Sequence, residues 1–436
     1  MDKSLSSRGL KASNTVMRVD LDISFEALNN QYDGIKNPEG VFPLSIAENR
    51  LNWDILKSKF KSISSTNDID DWVMGYTSPL GAPEFRESVA SFYESYLTQC
   101  PIDPDTIGCS PGATGIVEMT SLLLADKGEV AVMPAPCYPV YRQDMENIGN
   151  VLRHDIITHR QLIELQHGPL LDLQHLENAK QELAAQDKTF KILILTSPDN
   201  PTGLMYSETH VREIADWCIK HSIHLVVNEI YALSRILISD PTIKDDYQGD
   251  DKFISFAKIM YEKQSDFLHH WYSFSKDFGI SGFRLGIVHS YHTLFIKAYE
   301  NYNLSHSVSN HTQWLVMHMI QDTDFLDDYI RINQENLTRS YVAVVKVLKK
   351  HAIPYSPSRG GLFVWADFSD YLSENTQEAE MDFWMKMFNS IGVLFTPGHG
   401  FGHEGYGFFR IVYPYISYEN LIVALERLDN FLDRSV

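Results

Sequence analysis

The stretch Lys191–Gly203, KILILTSPDNPTG, sets four consecutive isoleucines and leucines before a turn rich in proline, asparagine and glycine. So short an apolar run, without polar alternation, reads as a strand buried on both faces, as in parallel sheets covered by helices. Outward from it, EVAVMPA (Glu129–Ala135) and HLVVNEI (His224–Ile230) repeat the pattern, while APEFRESVASFYESYL (Ala82–Leu97) and GIVEMTSLLLA (Gly115–Ala125) read as helices. Short strands separated by helices predict an α/β fold, a mostly parallel sheet flanked by helices. Such open sheets bind ligands beyond the carboxyl ends of their strands, which puts Asn200 of SPDNPTG at the expected ligand edge.

The 436 residues exceed the roughly 250–300 at which a single core stops growing. The pattern divides into an N-terminal arm with part of a smaller domain over 1–70, a large domain over 71–305, and a C-terminal small α+β domain over 306–436, with GLFVWADF and YGFFRIVY as its strands. A cleft between the lobes is the expected ligand site. The formal net charge of −20 argues against a nucleic-acid backbone or an anionic membrane as main partner. Four cysteines without a CxxC pair, and an N-terminus without the apolar core of a signal peptide, read as a reduced, cytoplasmic protein. No apolar run approaches the roughly 20 residues that span a bilayer.

Tyr272–Gly286, YSFSKDFGISGFRLG, sets one lysine among small hydroxyl residues and an arginine eight positions later. Either two cations share a surface loop, or Lys276 is a chemical reagent and Arg284 holds an anion beside it. In SPGATGIVEM (Ser110–Met119) a small turn feeds a helix whose free N–H groups suit a phosphate; a plain tight turn is the alternative. APCYPVY (Ala135–Tyr141) fixes Tyr138 between prolines, to stack on a planar ligand or to fill a core. In VVNEIYALS, alternation sends Asn228 and Glu229 to opposite faces. Arg410 lies in the otherwise apolar GFFRIVY, where a buried arginine needs an anion.

In combination, GAT, PCYP, SPDNPTG, NEIY, SFSKDFGISGFRLG and FFRIVY resemble the class I/II aminotransferases, the fold-type I pyridoxal 5′-phosphate enzymes. Six motifs in order over roughly Asn37–Tyr413 are far more specific than any one alone. NPEGVFPLSIAENRL (Asn37–Leu51) and SKDFGISGFRLG look most like the 1-aminocyclopropane-1-carboxylate synthase branch. The resemblance implies that Lys276 forms a Schiff base with the cofactor aldehyde and then moves the α-proton. Ser273 and Arg284, with Ala113 and Thr114, would hold the phosphate. Tyr138 would stack on the ring, while Asn200 and Tyr231 would hydrogen-bond the ring oxygen. Arg410 would clamp the carboxylate of an amino-acid substrate. Ala47 and Glu48 of AENR would face that substrate, although the branch has glutamine where this chain has Arg50, which weakens the case for S-adenosylmethionine. Tyr76 of GYTSPLGAPEF resembles the tyrosine given to the neighbouring subunit's phosphate, implying a homodimer with shared sites. The implied activity is lyase- or cyclase-type, with conventional amino transfer as the runner-up.

Asn228 departs from the pattern. The family has aspartate here, whose carboxylate pairs with the ring nitrogen. Losing a neighbouring carboxylate shifts a cation's pKa by about 1–3 units, equivalent to about 1.4–4 kcal/mol and about 10- to 1000-fold in rate if fully expressed in the transition state. An inactivating change, a natural retuning and a non-catalytic cofactor or metabolite binder all accommodate it. Two other patterns carry no function. GFGHEG (Gly400–Gly405) matches a dinucleotide motif but leads into a strand, and His399 and His403 have metal-like spacing across glycines that oppose a helix, so no metal is expected.

Overall fold

The structure, a computed structural model, describes residues 4–14, 21–249 and 252–434. Its centre is a seven-stranded sheet in the order Ile107–Pro111, Leu285–Ser290, Leu268–Ser273, His224–Asn228, Phe190–Thr196, Val130–Ala135, Leu152–Ile157. Leu285–Ser290 is antiparallel to both neighbours and the other pairings are parallel. The sheet is thus mostly parallel, as expected, and Leu285–Ser290 is its antiparallel member because it returns directly from the short SFSKDFGISGFR connection, too short for a parallel crossover. Register aligns Thr196 with Asn228 and Asn228 with Trp271. The strand ends that precede Asn200, Tyr231 and Lys276 therefore share one edge.

Helices cover both faces and bury the strands almost completely, except the edge strand Leu152–Ile157, which is only partly buried. Leu268–Ser273, LHHWYS, is entirely buried despite two histidines. Its His270 meets Glu229 at 2.9 Å, and Glu229 also accepts from the Ser255 hydroxyl and the Phe256 N–H at 2.6 Å. Packing thus supplies the partners that a buried carboxylate needs.

A second body holds the three-stranded antiparallel sheet Thr396–Pro397, Phe408–Val412, Phe363–Asp367, with Arg410 opposite Trp365. Phe42–Pro43 joins it through parallel pairing with Val393–Leu394, 351 residues later in the register. Helix Asn310–Ile320, expected in the second lobe, packs Trp314 and Val316 with Phe85 and Phe278 of the large core. The 28-residue helix Thr323–Lys350 makes the passage. Its first half buries Leu326 and Tyr329 in the large core, and its second half buries Tyr341, Val344 and Leu348 in the smaller one. No helix among the described residues is long and apolar enough to cross a membrane.

Candidate active site

A cleft with about 1030 Å³ of empty space, part of it open to solvent, lies along the shared strand edge. Large-sheet connections supply Lys276, Asn200, Asn228 and Tyr231; the smaller body supplies Arg410, and the N-terminal segment supplies Ala47 and Glu48. Side chains far apart in sequence thus meet around one space of small-molecule size.

At one end the N-terminus of helix Gly112–Leu124 presents Ala113 and Thr114. Gly112 sits at φ +76°, and a Cβ there would fall 2.5 Å from the Arg284 guanidinium, so the cation lies directly against the helix end. Arg284 itself holds the left-handed φ of +53°, a conformation kept by bulky residues mainly at functional sites. Its guanidinium donates to the Ser281 carbonyl at 3.0 Å and the Pro111 carbonyl at 3.1 Å. Helix-end N–H groups, a fork of N–H donors and the hydroxyls of Ser275 and Ser281 in the same wall suit a phosphate. Ser273 lies behind this wall. Its hydroxyl donates to the Leu285 carbonyl at 2.8 Å and meets Ser275 at 2.9 Å.

Lys276 projects from the short helix Phe274–Asp277 and donates to the Ala47 carbonyl at 2.6 Å. Burial lowers its pKa to about 8; Glu48 opposes the shift, while Arg410 and Arg284 add to it. An amine so placed is available as a nucleophile or base near neutral pH. Its neighbour Asp277 accepts from the Ser234 hydroxyl at 2.6 Å and from the Leu233 N–H at 3.1 Å. This staples the turn carrying Tyr231 to the lysine helix.

Arg410 is fully buried and donates to Asn200 Oδ1 at 3.0 Å, the Ser45 carbonyl at 3.0 Å and Thr396 Oγ1 at 3.3 Å. Burial pushes the Tyr231 phenol up, with Arg410 opposing. Tyr138 also lines the cleft, its ring edge-on to Tyr141. Asn228 donates to the Tyr141 hydroxyl at 2.8 Å and accepts from the Ile230 N–H at 3.2 Å. Tyr141 also meets Thr196 Oγ1 at 3.1 Å.

Sequence reasoning missed Tyr141, Thr196, Asp144, Asp277 and Ser275. Asp144 follows Tyr141 by one helical turn and lines the cleft, its carboxyl pushed to about 7 by burial and Glu118 against the pull of Arg284. Tyr76 is outside the cleft and fully exposed. His399 pairs with Glu380 at 3.3 Å and His403 packs on Phe408, so each ring has a local partner away from the cleft.

The described donors fit the expected cofactor: a cationic cup for its phosphate, a lowered-pKa lysine for its aldehyde, and Asn200 and Tyr231 for its ring oxygen. Comparison with known proteins agrees. The structure superposes on an archaeal alanine:glyoxylate aminotransferase with a TM-score of 0.80 at 18% identity, covering all of both chains. A Thermus thermophilus aspartate aminotransferase variant gives 0.78 at 18%, covering 98% of this chain and 100% of the other. In sequence, the chain is 30% identical to the 1-aminocyclopropane-1-carboxylate synthase of Nicotiana tabacum, over 93% of this chain and 81% of the relative. It is 29% identical to 1-aminocyclopropane-1-carboxylate synthase 7 of Arabidopsis thaliana, over 93% and 90%. With residues 41–428 matching the family profile "Aminotransferase class I and II", the chain belongs to that family and is a pyridoxal 5′-phosphate-dependent enzyme of the Schiff-base-forming class.

Proposed function

We propose that this enzyme acts on an α-amino acid held by its carboxylate at Arg410, with Lys276 taking and returning the α-proton, and that the outcome is elimination, replacement or cyclisation. The meeting of Lys276, Arg284 and Arg410 in one cleft carries the reading. The two 1-aminocyclopropane-1-carboxylate synthases support the lyase-type outcome. The aminotransferase structures share the fold alone and keep amino transfer as the second reading.

When bound, the cofactor supplies an aldehyde for the amino group and a conjugated ring that stabilises negative charge at Cα. The protein's residues would do the rest. Arg284, Ala113 and Thr114, with Ser275 in the wall and Ser273 behind it, would hold the phosphate. Tyr138 would cover one ring face, and Asn200 and Tyr231 would bind the ring oxygen. Lys276, mostly neutral above pH 8, would exchange its bond to the Ala47 carbonyl for the α-proton. A spectral screen of amino acids against the loaded enzyme, with product analysis, tests the reading. Ammonia release or a cyclised product without an added 2-oxo acid supports it. Product that requires a 2-oxo acid acceptor returns the choice to amino transfer.

Asn228 is buried, lines the cleft and donates to the Tyr141 hydroxyl, and under this reading it would offer the ring nitrogen only a neutral group. Asn228→Asp is expected to place a carboxylate there, with the Tyr141 hydroxyl reversing to donate to it. α-Proton exchange in deuterated water should rise about tenfold or more, from the one to three pKa units that a carboxylate adds to a neighbouring cation. Exchange and cofactor spectra identical to wild type would remove Asn228 from the site. If amino transfer to the cofactor rises while the native product falls, the asparagine is a retuning that suppresses that side route.

We further propose a cytoplasmic homodimer in which Tyr76 completes the partner's phosphate site. The ring points fully into solvent while both neighbouring residues are tied to Asn310, whose side chain donates to the Gly75 carbonyl at 2.7 Å and accepts from the Thr77 hydroxyl at 3.0 Å. Met74, Tyr302 and Leu304 are exposed as well. Mixing inactive Lys276→Ala and Tyr76→Ala subunits should recover about a quarter of wild-type activity after random exchange, since half the dimers are mixed and each has one intact site. Verified exchange without recovery would mean that Tyr76 serves its own subunit or none.

A further inference from the structure

Glu48 lines the same cleft as Lys276, next to the Ala47 carbonyl that the lysine donates to, and its charge reaches the lysine, whose pKa it raises. That carboxylate is engaged within its own segment. Arg50 places two donors on one oxygen, Nε to Oε2 at 2.9 Å and a terminal nitrogen to Oε2 at 2.7 Å. Arg50 is itself fixed. Its guanidinium lies 4.6 Å from the Trp53 ring centroid and 3.8 Å from that of Tyr415, and the Arg50 backbone N–H donates to the Pro414 carbonyl at 2.9 Å. Trp53 is anchored in turn by its indole N–H on the Gly279 carbonyl at 2.9 Å, three residues past Lys276. A stacked, pre-oriented guanidinium loses little freedom on pairing, unlike a mobile surface arginine.

Arg50 does not line the cleft; it acts on the cleft through Glu48. The other carboxyl lining the cleft, Asp144, has Arg284 and Glu118 as its charged neighbours. Glu48 is thus the carboxylate available to a substrate side chain on its own wall. From the Arg50–Glu48 pair and its aromatic clamp, we infer that Arg50 is a selectivity-setting residue: it neutralises Glu48 and restricts the cleft to α-amino acids whose side chains carry no positive charge. This rests on the amino-acid reading above. A cationic side chain would have to displace Arg50 from Glu48, whereas a neutral or anionic one leaves the pair intact.

Ligand pairs that differ only in side-chain charge test the inference, with dissociation constants read from the absorbance change of the loaded enzyme: L-arginine against L-citrulline, and S-adenosylmethionine against S-adenosylhomocysteine. Wild type should bind the neutral member at least as tightly. Arg50→Gln should move the ratio toward the cation by about tenfold, the worth of one hydrogen bond to a charged group at a site where both side chains keep about a quarter of their exposure. Glu48→Gln/Arg50→Gln should lose that gain while still binding citrulline, which also shows that the double variant is folded. If Arg50→Gln shifts both members of each pair equally, or wild type already prefers the cation tenfold, the inference fails and the amino-acid reading stands. Absence of any spectral response from wild type to all four ligands and to the common amino acids would overturn both.

Discussion

Lys276→Ala protein is expected to bind pyridoxal 5′-phosphate without a borohydride-reducible adduct and to lose α-proton exchange by about 10²- to 10⁴-fold, the usual worth of a positioned general base. The lysine is half-buried, its pKa lies near 8, and its hydrogen bond to the Ala47 carbonyl aims it into the cleft. Removing it leaves Arg284 and the helix end intact, so cofactor affinity should fall less than chemistry. A pH arm separates this lysine from exposed ones. The neutral amine is the nucleophile, so the rate of cofactor capture by apoenzyme should rise with pH through a midpoint near 8 and level off above it, whereas an exposed lysine would keep gaining reactivity toward about 10.4. Glu48→Gln should move that plateau lower, because Glu48 raises the lysine's pKa. A wild-type level of reduced adduct in Lys276→Ala, located by peptide mass on another lysine, would refute the assignment.

Most motif residues were legible because they follow a strand end or open a helix, where short sequence spacing dictates spatial position, whereas Arg410, mid-strand, stood out as a cation in an apolar run. Lys276 and Arg284 are eight residues apart and share one loop, and Gly112 to Thr114 open the helix beside them. Asn200 and Asn228 could be placed because the strands before them are unmistakably apolar. The Tyr141 contact with Asn228 was not legible, since it joins positions 87 apart through the register of three strands. Asp277 read as an ordinary acidic neighbour of the lysine, and its role as a staple for the Tyr231 turn appears only when both segments are packed. LHHWYS hid a central strand, because two histidines break the apolar pattern while burial and Glu229 satisfy one of them. The pairing of Phe42–Pro43 with Val393–Leu394 spans nearly the whole chain, and no local pattern announces it.

Arg410→Ala should weaken binding of amino acids by about 2–5 kcal/mol, the loss typical of truncating one side of a buried charged hydrogen-bonded pair, and should barely affect the corresponding amines. The argument starts from the strand. Phe408–Val412 is wholly buried, and register pairing with Thr396 and Trp365 fixes the direction in which position 410 points. Asn200, Ser45 and Thr396 then hold the guanidinium, while Phe363 and Phe401 lie 4.8 and 5.2 Å from it. Those three acceptors are neutral, and a substrate carboxylate in the cleft would meet a rigid fork of donors. Arg410→Lys should keep part of the charge term and lose the fork, giving an intermediate affinity. A second readout needs no substrate. Arg410 helps to lower the Lys276 pKa, so Arg410→Ala should shift the cofactor-capture plateau to higher pH. Methionine against 3-(methylthio)propylamine, and alanine against ethylamine, are the comparisons to measure. If each amino acid and its amine weaken equally, the residue supports the fold of the smaller body and does not read the carboxylate.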